Sequence, residues 1–292
     1  MMHPFTLCCK EFRLELGAQT KIMGIVNVTP DSFSDGGQFY AFDSAVAHAH
    51  RLVEAGADII DIGGESTRPF AQNVSAAEEI DRVLPVIKEL ARKIAVPISI
   101  DTTKSAVAQA ALAAGASLIN DISALRMDPQ MAEVAAHHDV PVILMHMQGT
   151  PRSMQIHPYY DDLIGEVSAF LGDAIQRAKK AGIDADKIII DPGIGFGKTV
   201  THNLLLIQQL QALADLGAPI LVGPSRKAFI RKILAGHASK ELGADQAEVE
   251  TGTQAAVAAA VMNGAHIVRV HNVANSKAMI TILDAIRSAG KL

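Results

Sequence analysis

Lys21-Ile22-Met23-Gly24-Ile25-Val26-Asn27-Val28-Thr29-Pro30-Asp31-Ser32-Phe33-Ser34-Asp35-Gly36-Gly37 is the stretch that decides the fold. Its first part is an apolar run, Lys21 to Val28, that passes into a polar, glycine-ended segment with no helical periodicity. That pattern reads as a buried strand opening into a functional loop. The same event recurs along the chain, each time ending in a charged, amide or hydroxyl group. Asp61-Ile-Gly-Gly-Glu-Ser-Thr-Arg68-Pro69 follows a second strand, and Ser99-Ile-Asp101 ends a third. Asn120-Asp121, Asp191-Pro-Gly-Ile-Gly-Phe196, Ser225-Arg226-Lys227 and Arg269-Val-His271 close later ones. Chemically different strand ends gathered on one rim point to a barrel enzyme.

Strand-like runs begin near Lys21, Asp58, Pro97, Ser117, Val140, Lys187, Ala218 and Ala265. Helical patterns lie between and after them: Ser44–Ala55, Ala76–Ile94, Lys104–Ala114, Pro129–His138, Leu163–Ala181, Leu204–Leu216, Glu248–Asn263 and Asn275–Ala289. Turns such as Ala55-Gly56-Ala57 and Ala114-Gly115-Ala116 announce several strands, with glycine where a helix C-terminus needs a left-handed residue. Eight βα units predict a single α/β domain, a (β/α)₈ TIM barrel spanning residues 21–292 with its site at the C-terminal strand ends. Residues 1–20 contain a short alternating hairpin, Phe5 to Leu16, expected to cover the barrel floor. Ala235 to Asp245 has no clear period and reads as an exposed loop.

A barrel of this kind takes about 250 residues, so 292 residues with 49% hydrophobic content fit one core. A net charge of −5 gives no bulk attraction for nucleic acid or an anionic membrane, so an anionic substrate needs a local basic cluster. Cys8 and Cys9 are adjacent, and a bond between neighbours is strained, which argues for two free thiols. Lys10, Glu11, Arg13 and Glu15 interrupt any N-terminal apolar region, and the longest apolar stretch, Ala255 to Met262, falls short of the ~20 residues of a span. A cytoplasmic protein is expected.

Asp101, Asn120 and Asp191 come from three strand ends. Singly, each is explained as a helix N-cap. Together in one mouth they suit a flat heterocycle with adjacent N–H groups, such as a 2-amino-4-oxo-pyrimidine ring, because a sheltered carboxylate needs donors. Lys227 would donate to its carbonyl and ring nitrogen. Asn27, Ser66, Thr67, Arg68, Arg269 and His271 form an anion-binding set, in which the planar arginine forks suit phosphate. Arg269 and His271 are two apart in a strand and share a face; the inward one is expected. Gly193-Ile194-Gly195-Phe196-Gly197-Lys198-Thr199 satisfies neither a phosphate loop nor a dinucleotide fingerprint. It reads as a tight turn that lays Phe196 over the mouth. His48 with His50, and His137 with His138, do not look like metal sites, and for His146 barrel packing competes with a ligand role.

These motifs, in this order from Gly24 to Val273, resemble dihydropteroate synthases. Phe70 departs from the small residue common after Arg-Pro in that family, and Asn272 from its frequent Asp. The resemblance implies condensation of 6-hydroxymethyl-7,8-dihydropterin diphosphate with 4-aminobenzoate. It implies that Asp101, Asn120, Ile122, Met145, Asp191, Lys227 and Arg269 contact the pterin, and that Asn27, Arg68, Arg269 and His271 surround the diphosphate. Phe33, Thr67, Pro69, Phe196 and Ser225 would shape the aminobenzoate site. Asp101, Lys227, Arg269 and His271 would carry the chemistry, with Mg²⁺ at Asn27 and a homodimer as the assembly. Two rivals stand beside this reading: a barrel methyltransferase binding methyltetrahydrofolate, which would leave the basic cluster idle, and a non-catalytic pterin-binding paralogue.

Overall fold

The computed structural model describes residues 3–28, 37–66, 74–236 and 242–289, with the side chains of residues 37–41 left aside. Phe5–Cys9 (β1) and Phe12–Leu16 (β2) pair antiparallel as the expected hairpin. Among the described residues, eight parallel strands follow: Lys21–Asn27 (β3), Ile59–Gly63 (β4), Ile98–Asp101 (β5), Leu118–Asp121 (β6), Val142–Met145 (β7), Ile188–Asp191 (β8), Leu221–Val222 (β9) and Ile267–Val270 (β10). They hydrogen-bond in the order β8-β7-β6-β5-β4-β3-β10-β9. A parallel bridge between Ile190 and Ile220 joins the two outer strands and closes the barrel.

The helices are Gly37–Glu54 (α1), Ala76–Leu90 (α2), Ser105–Ala114 (α3), Met131–His138 (α4), Leu163–Lys180 (α5), Val200–Gln208 (α6), Ala228–Ala235 (α7), Ala247–Met262 (α8) and Val273–Ser288 (α9). Two departures from the sequence reading stand out. The helix expected over Leu204–Leu216 starts earlier, at Val200, and gives way to 3₁₀ geometry from Leu210 to Leu216. Thr199 sets the start: its hydroxyl accepts from His202 N, and the His202 ring accepts from Thr199 N. The second departure is α7, which follows β9 directly and ends where a loop was expected to begin. Residues 237–241 of that loop lie outside the described residues, as do Phe33, Thr67, Arg68, Pro69 and Phe70.

Strand parity positions everything that follows. Met23, Ile59, Leu118, Ile143, Ile189, Leu221 and Ile267 point into the barrel and pack with Leu7, Cys9 and Leu16 of the hairpin into one apolar cluster. The hairpin is therefore the plug of the floor. Neighbours of opposite parity, such as Ile22, Ile60, Ile119, Val142, Ile188 and Val268, face the helices in the larger core cluster. Because side chains alternate along a strand, the residues two positions beyond the floor layer also point inward, one level nearer the C-terminal mouth. Those are Ile25, Asp61, Asn120, Met145, Asp191, Gly223 and Arg269.

Candidate active site

The layer above the floor is polar, and its members satisfy one another. Asp61 on β4 is fully buried. Its Oδ2 accepts from Arg269 Nε at 2.6 Å and from Asn120 Nδ2 at 3.1 Å. The other end of the Arg269 fork donates from Nη2 to Asp101 Oδ2 at 2.7 Å. One guanidinium thus holds carboxylates from two adjacent strands, and the Asp61 bond sets the Asn120 amide so that its carbonyl oxygen is left to accept. Among the described residues Asp61 Oδ1 is buried without a hydrogen-bond partner, a costly state.

None of the three strand-end residues serves as a helix cap. Lys104, Gln130 and Thr199 occupy the N-cap positions after β5, β6 and β8. Asp191 uses one carboxylate oxygen on its own turn, Oδ1 accepting from Gly193 N at 2.7 Å. Asp121, next to Asn120, belongs elsewhere: it accepts from Ser123 N and Leu125 N at 2.8 and 2.7 Å. That bonding holds Ala124 and Leu125 in left-handed conformation (φ 52° and 64°).

Burial dominates the electrostatics. It pushes the Asp191 carboxyl up to about 6, against the opposing influence of the Gly193 N–H bond and the nearby Lys227, Lys198 and Arg269 charges. Burial also raises Asp101; the Arg269 guanidinium is the largest opposing influence, while Asp61 and Glu79 add to the upward push. Lys227 is drawn down to about 8 by burial and by Arg269. It is half-buried, with its ammonium 4.0 Å from the centroid of the Phe196 ring, a cation–π contact.

Phe196 lies where the sequence placed it, over the mouth, in a cluster with Ile122, Met145, Met147 and Met154. These side chains offer a flat apolar wall beside the Asp191–Lys227 polar edge. The turn beneath Phe196 requires glycine at two points. A Cβ on Gly193 (φ 70°) would sit 1.9 Å from the His146 carbonyl oxygen, and one on Gly195 (φ 84°) would sit 2.8 Å from the Lys227 side chain. His146 faces away from the mouth, packed edge-on against Phe170 with ring centroids 4.7 Å apart. Burial drives it down to about 2, so it is neutral.

On the other side of the mouth, Ser225 Oγ lies 2.9 Å from His271 Nδ1, joining a residue expected at the aminobenzoate to one expected at the diphosphate. Arg226, between Ser225 and Lys227, turns outward to Asp245 at 2.6 Å. Asn27 is exposed at the end of β3, on the inward parity, beside Gly63. A cavity of about 380 Å³ opens next to Asp101, lined in part by Glu65, Ser66, Glu79, Lys104 and Ile122. Lys104 donates to Glu65 at 2.6 Å and to Glu79 at 2.5 Å, and Glu65 also accepts from Val74 N at 3.0 Å. The two ends of residues 67–73 are thereby tied together beside the Asp101 segment.

The structure therefore gathers Asp101, Asn120, Ile122, Met145, Asp191, Lys227, Arg269, Phe196, Ser225, His271 and Asn27 at one mouth. Sequence reading did not assign a role to Asp61. Its signal was available: a carboxylate inside Ile59-Ile60-Asp61-Ile62 shares the inward face of Ile59 and must be paired.

Fold and site together define a barrel enzyme that reads a flat, N–H-bearing heterocycle at its C-terminal mouth. Residues 23–271 match the family model described as pterin binding enzyme, and the chain belongs to that family. Within that family this chain performs dihydropteroate synthesis, as the following relatives show. A curated relative from Synechocystis sp., named dihydropteroate synthase, is 47% identical over 270 residues, covering 92% of this chain and 91% of that protein. The Xanthomonas albilineans dihydropteroate synthase solved with 4-aminobenzoic acid superposes with a TM-score of 0.88 at 43% identity, covering 98% of this chain and 99% of that one. The same enzyme in complex with 7,8-dihydropteroate gives a TM-score of 0.86 at 42% identity, with 97% and 99% covered.

Proposed function

We propose that the chain joins 6-hydroxymethyl-7,8-dihydropterin diphosphate to 4-aminobenzoate by a dissociative route, with the pterin held in the polar layer of the barrel and the diphosphate above it. The observation that carries this reading is the set Asp61–Asn120–Arg269–Asp101 with Asp191 and Lys227 beside it. Asp191 has one carboxylate oxygen beyond its turn bond, and Asn120 has its amide oxygen. Both accept from the amino-pyrimidine edge. Lys227 donates to the 4-oxo and N5 side, while Met145, Ile122 and Phe196 pack on the ring. Asp101, kept in place by Arg269, faces the remaining ring N–H. As the C–O bond to diphosphate lengthens, positive charge grows on the pterin methylene, and the Asp101 carboxylate stabilises it. The arylamine of 4-aminobenzoate is neutral at pH 7 and attacks without a strong general base. Its ammonium proton is lost after C–N bond formation. His271, Arg269 and Arg68 receive the departing diphosphate, and Phe33, Thr67, Pro69, Phe196 and Ser225 hold the aminobenzoate.

Mg²⁺ fits this arrangement. The described residues contain no group of three or more His, Cys, Asp or Glu side chains able to hold a metal. An exposed amide oxygen at Asn27 matches an ion that takes one or two protein oxygens and fills its shell with water and phosphate oxygens. Bound there, the ion would neutralise diphosphate charge. The reading also includes a cytoplasmic homodimer. No helix of the described residues is long and apolar enough to cross a membrane, and Ile282 and Ile286, one turn apart on α9, are 62% and 59% exposed.

The test is to titrate 4-aminobenzoate calorimetrically into the protein with and without 6-hydroxymethylpterin, Mg²⁺ and diphosphate. The reading expects tight aminobenzoate binding only when the first site is filled. Equal affinity for the bare protein would overturn the order of binding, and failure of the pterin to bind would overturn the site.

A further inference from the structure

Lys198 is assigned to no substrate subsite, yet it is buried in the wall of the mouth. It is only 4% exposed. Its ammonium donates to Phe196 O at 3.0 Å and to His146 Nδ1 at 2.9 Å. The imidazole accepts because it is neutral, and it is fixed from outside by Phe170 and Tyr160. The turn that Lys198 underpins is held peptide by peptide. Gly193 O accepts from Phe196 N, Gly195 O from Gln155, and Gly197 O from the Tyr160 hydroxyl at 2.9 Å. Lys198 is the cation in that scaffold, and the Asp191 carboxylate, accepting from Gly193 N, is the anion. Above the turn lies Lys227, over the Phe196 ring; below it lies Lys198, bonded to the Phe196 carbonyl. Asp191 sits at the root of the same turn, and its backbone carbonyl accepts from His146 N at 2.9 Å.

A buried ammonium is expensive without a compensating anion, and Asp191 is the anion that supports Lys198. The support is mutual. We propose that Lys198 is a positioning residue for the pterin pocket, acting from behind the Gly193–Gly197 turn to fix the Phe196 peptide and to balance the Asp191 carboxylate without touching substrate. This rests on the assignment of Asp191 to the pterin. The division of labour is physical. Lys227 must exchange its environment when substrate enters, whereas Lys198 keeps the same partners throughout. It can therefore hold Asp191 ionised in the empty site as well as in the filled one.

The charged and titratable groups that bear on this pair are few. Lys227 at the start of α7 and Arg269 on β10 face Asp191 together with Lys198. Around Lys198 lie His146, with the Tyr160 ring tilted against it and the Arg126 charge bearing on it, His202 on α6 and Lys227. Burial draws Lys198 down to about 7, with Asp191 opposing the fall, so the ammonium is gained as pH drops into the range where Asp191 titrates. The two groups are matched: the cation is fullest where the carboxylate is most at risk of protonation.

The experiment compares wild type with Lys198→Gln, which keeps a donor for Phe196 O but removes the charge, and with Lys198→Met, which removes both. Affinity for 6-hydroxymethylpterin is measured calorimetrically from pH 5.5 to 7.5, and a thermal melt checks each fold. Loss of a nearby buried cation raises a carboxyl pKa. In both variants the pH at which binding fails should therefore move up by about half a unit or more, with an affinity loss of roughly threefold or more near pH 6 that shrinks towards pH 7.5. In an Asp191→Asn background the same substitutions should leave the profile unchanged. A pH-independent loss in folded variants, or superimposable profiles, would overturn the role of Lys198 while leaving the pterin site standing. A wild type that binds no pterin would overturn the site itself. Should neither variant fold, the inference is overturned in favour of a purely structural role, provided Lys198→Arg, which keeps the charge, also fails to fold.

Discussion

The floor and the mouth of this barrel are two residues apart on the same strands. Ile59 and Asp61, Leu118 and Asn120, Ile189 and Asp191, Ile267 and Arg269 share a backbone, a parity and an inward direction. At the lower level the side chains are apolar, sealed by Leu7, Cys9 and Leu16 of the hairpin. At the upper level the acids, amide and guanidinium neutralise one another across strands, leaving Asp61 Oδ1 without a hydrogen-bond partner among the described residues. Burial at the floor is directionless and rewards area. Burial at the mouth is tolerated only through specific pairings, and what those pairings leave unused is what a substrate can read. Stability and recognition are thus stacked as layers.

The comparison breaks most sharply at Arg269. Arg269→Met leaves Asp61 and Asp101 facing each other without their cation, and removal of one partner of a buried ion pair costs about 3–5 kcal/mol. Urea unfolding should show that loss together with vanished activity; a variant as stable as wild type would mean the two carboxylates are not held by the guanidinium. The counterpart at the floor is Leu118→Ala, fully buried in the apolar layer beneath the mouth, which should cost about 2–5 kcal/mol of stability. Its pterin affinity, measured well below the melting temperature, should stay unchanged, and a large drop would show that the layers are not separable.

A pH experiment sharpens the same contrast. In the folded chain Asp191 titrates near 6, against an ordinary value of 3.8. Between those values the native state binds more protons than the unfolded one, so stability falls as pH rises through that window and is level above it. Asp191→Asn should remove this contribution, giving a variant that gains on wild type from acid towards pH 6. Parallel stability curves would place the perturbed acid elsewhere. The smallest of the four effects is at Lys227. Lys227→Ala should weaken 6-hydroxymethylpterin by about 1–3 kcal/mol, the cost of leaving buried acceptors unpaired, and equal affinities would remove it from the pterin edge.

Much of this was legible in the chain. Apolar runs closing in polar groups located the strands, glycine turns placed their starts, and the alternation of Phe5 to Leu16 gave the plug. Arg269 lies on the inward parity of β10, and His271 follows one residue beyond the end of that strand. The limits were those of long-range geometry. Asp61 meets Asn120 and Arg269 at sequence separations of 59 and 208 residues, and nothing local reports the register that brings them together. Arg269 was read as a phosphate ligand because its fork suits phosphate; that the fork first holds two carboxylates depends on β4 and β5 lying beside each other. The contact between Lys227 and Phe196 was hidden because α7, which Lys227 precedes, was not foreseen. Lys198 was absorbed into a glycine-rich motif, its role depending on His146 from another strand.

The polar layer two residues above the floor is where dihydropteroate synthesis is proposed to take place. Purified protein mixed with 6-hydroxymethyl-7,8-dihydropterin diphosphate, 4-aminobenzoate and Mg²⁺ tests it directly, with 7,8-dihydropteroate and diphosphate quantified together. One dihydropteroate is expected for each diphosphate released, with no product when Asp101→Asn replaces wild type or when 4-aminobenzoate is omitted. Folded wild-type protein that binds the pterin yet forms no dihydropteroate would contradict it.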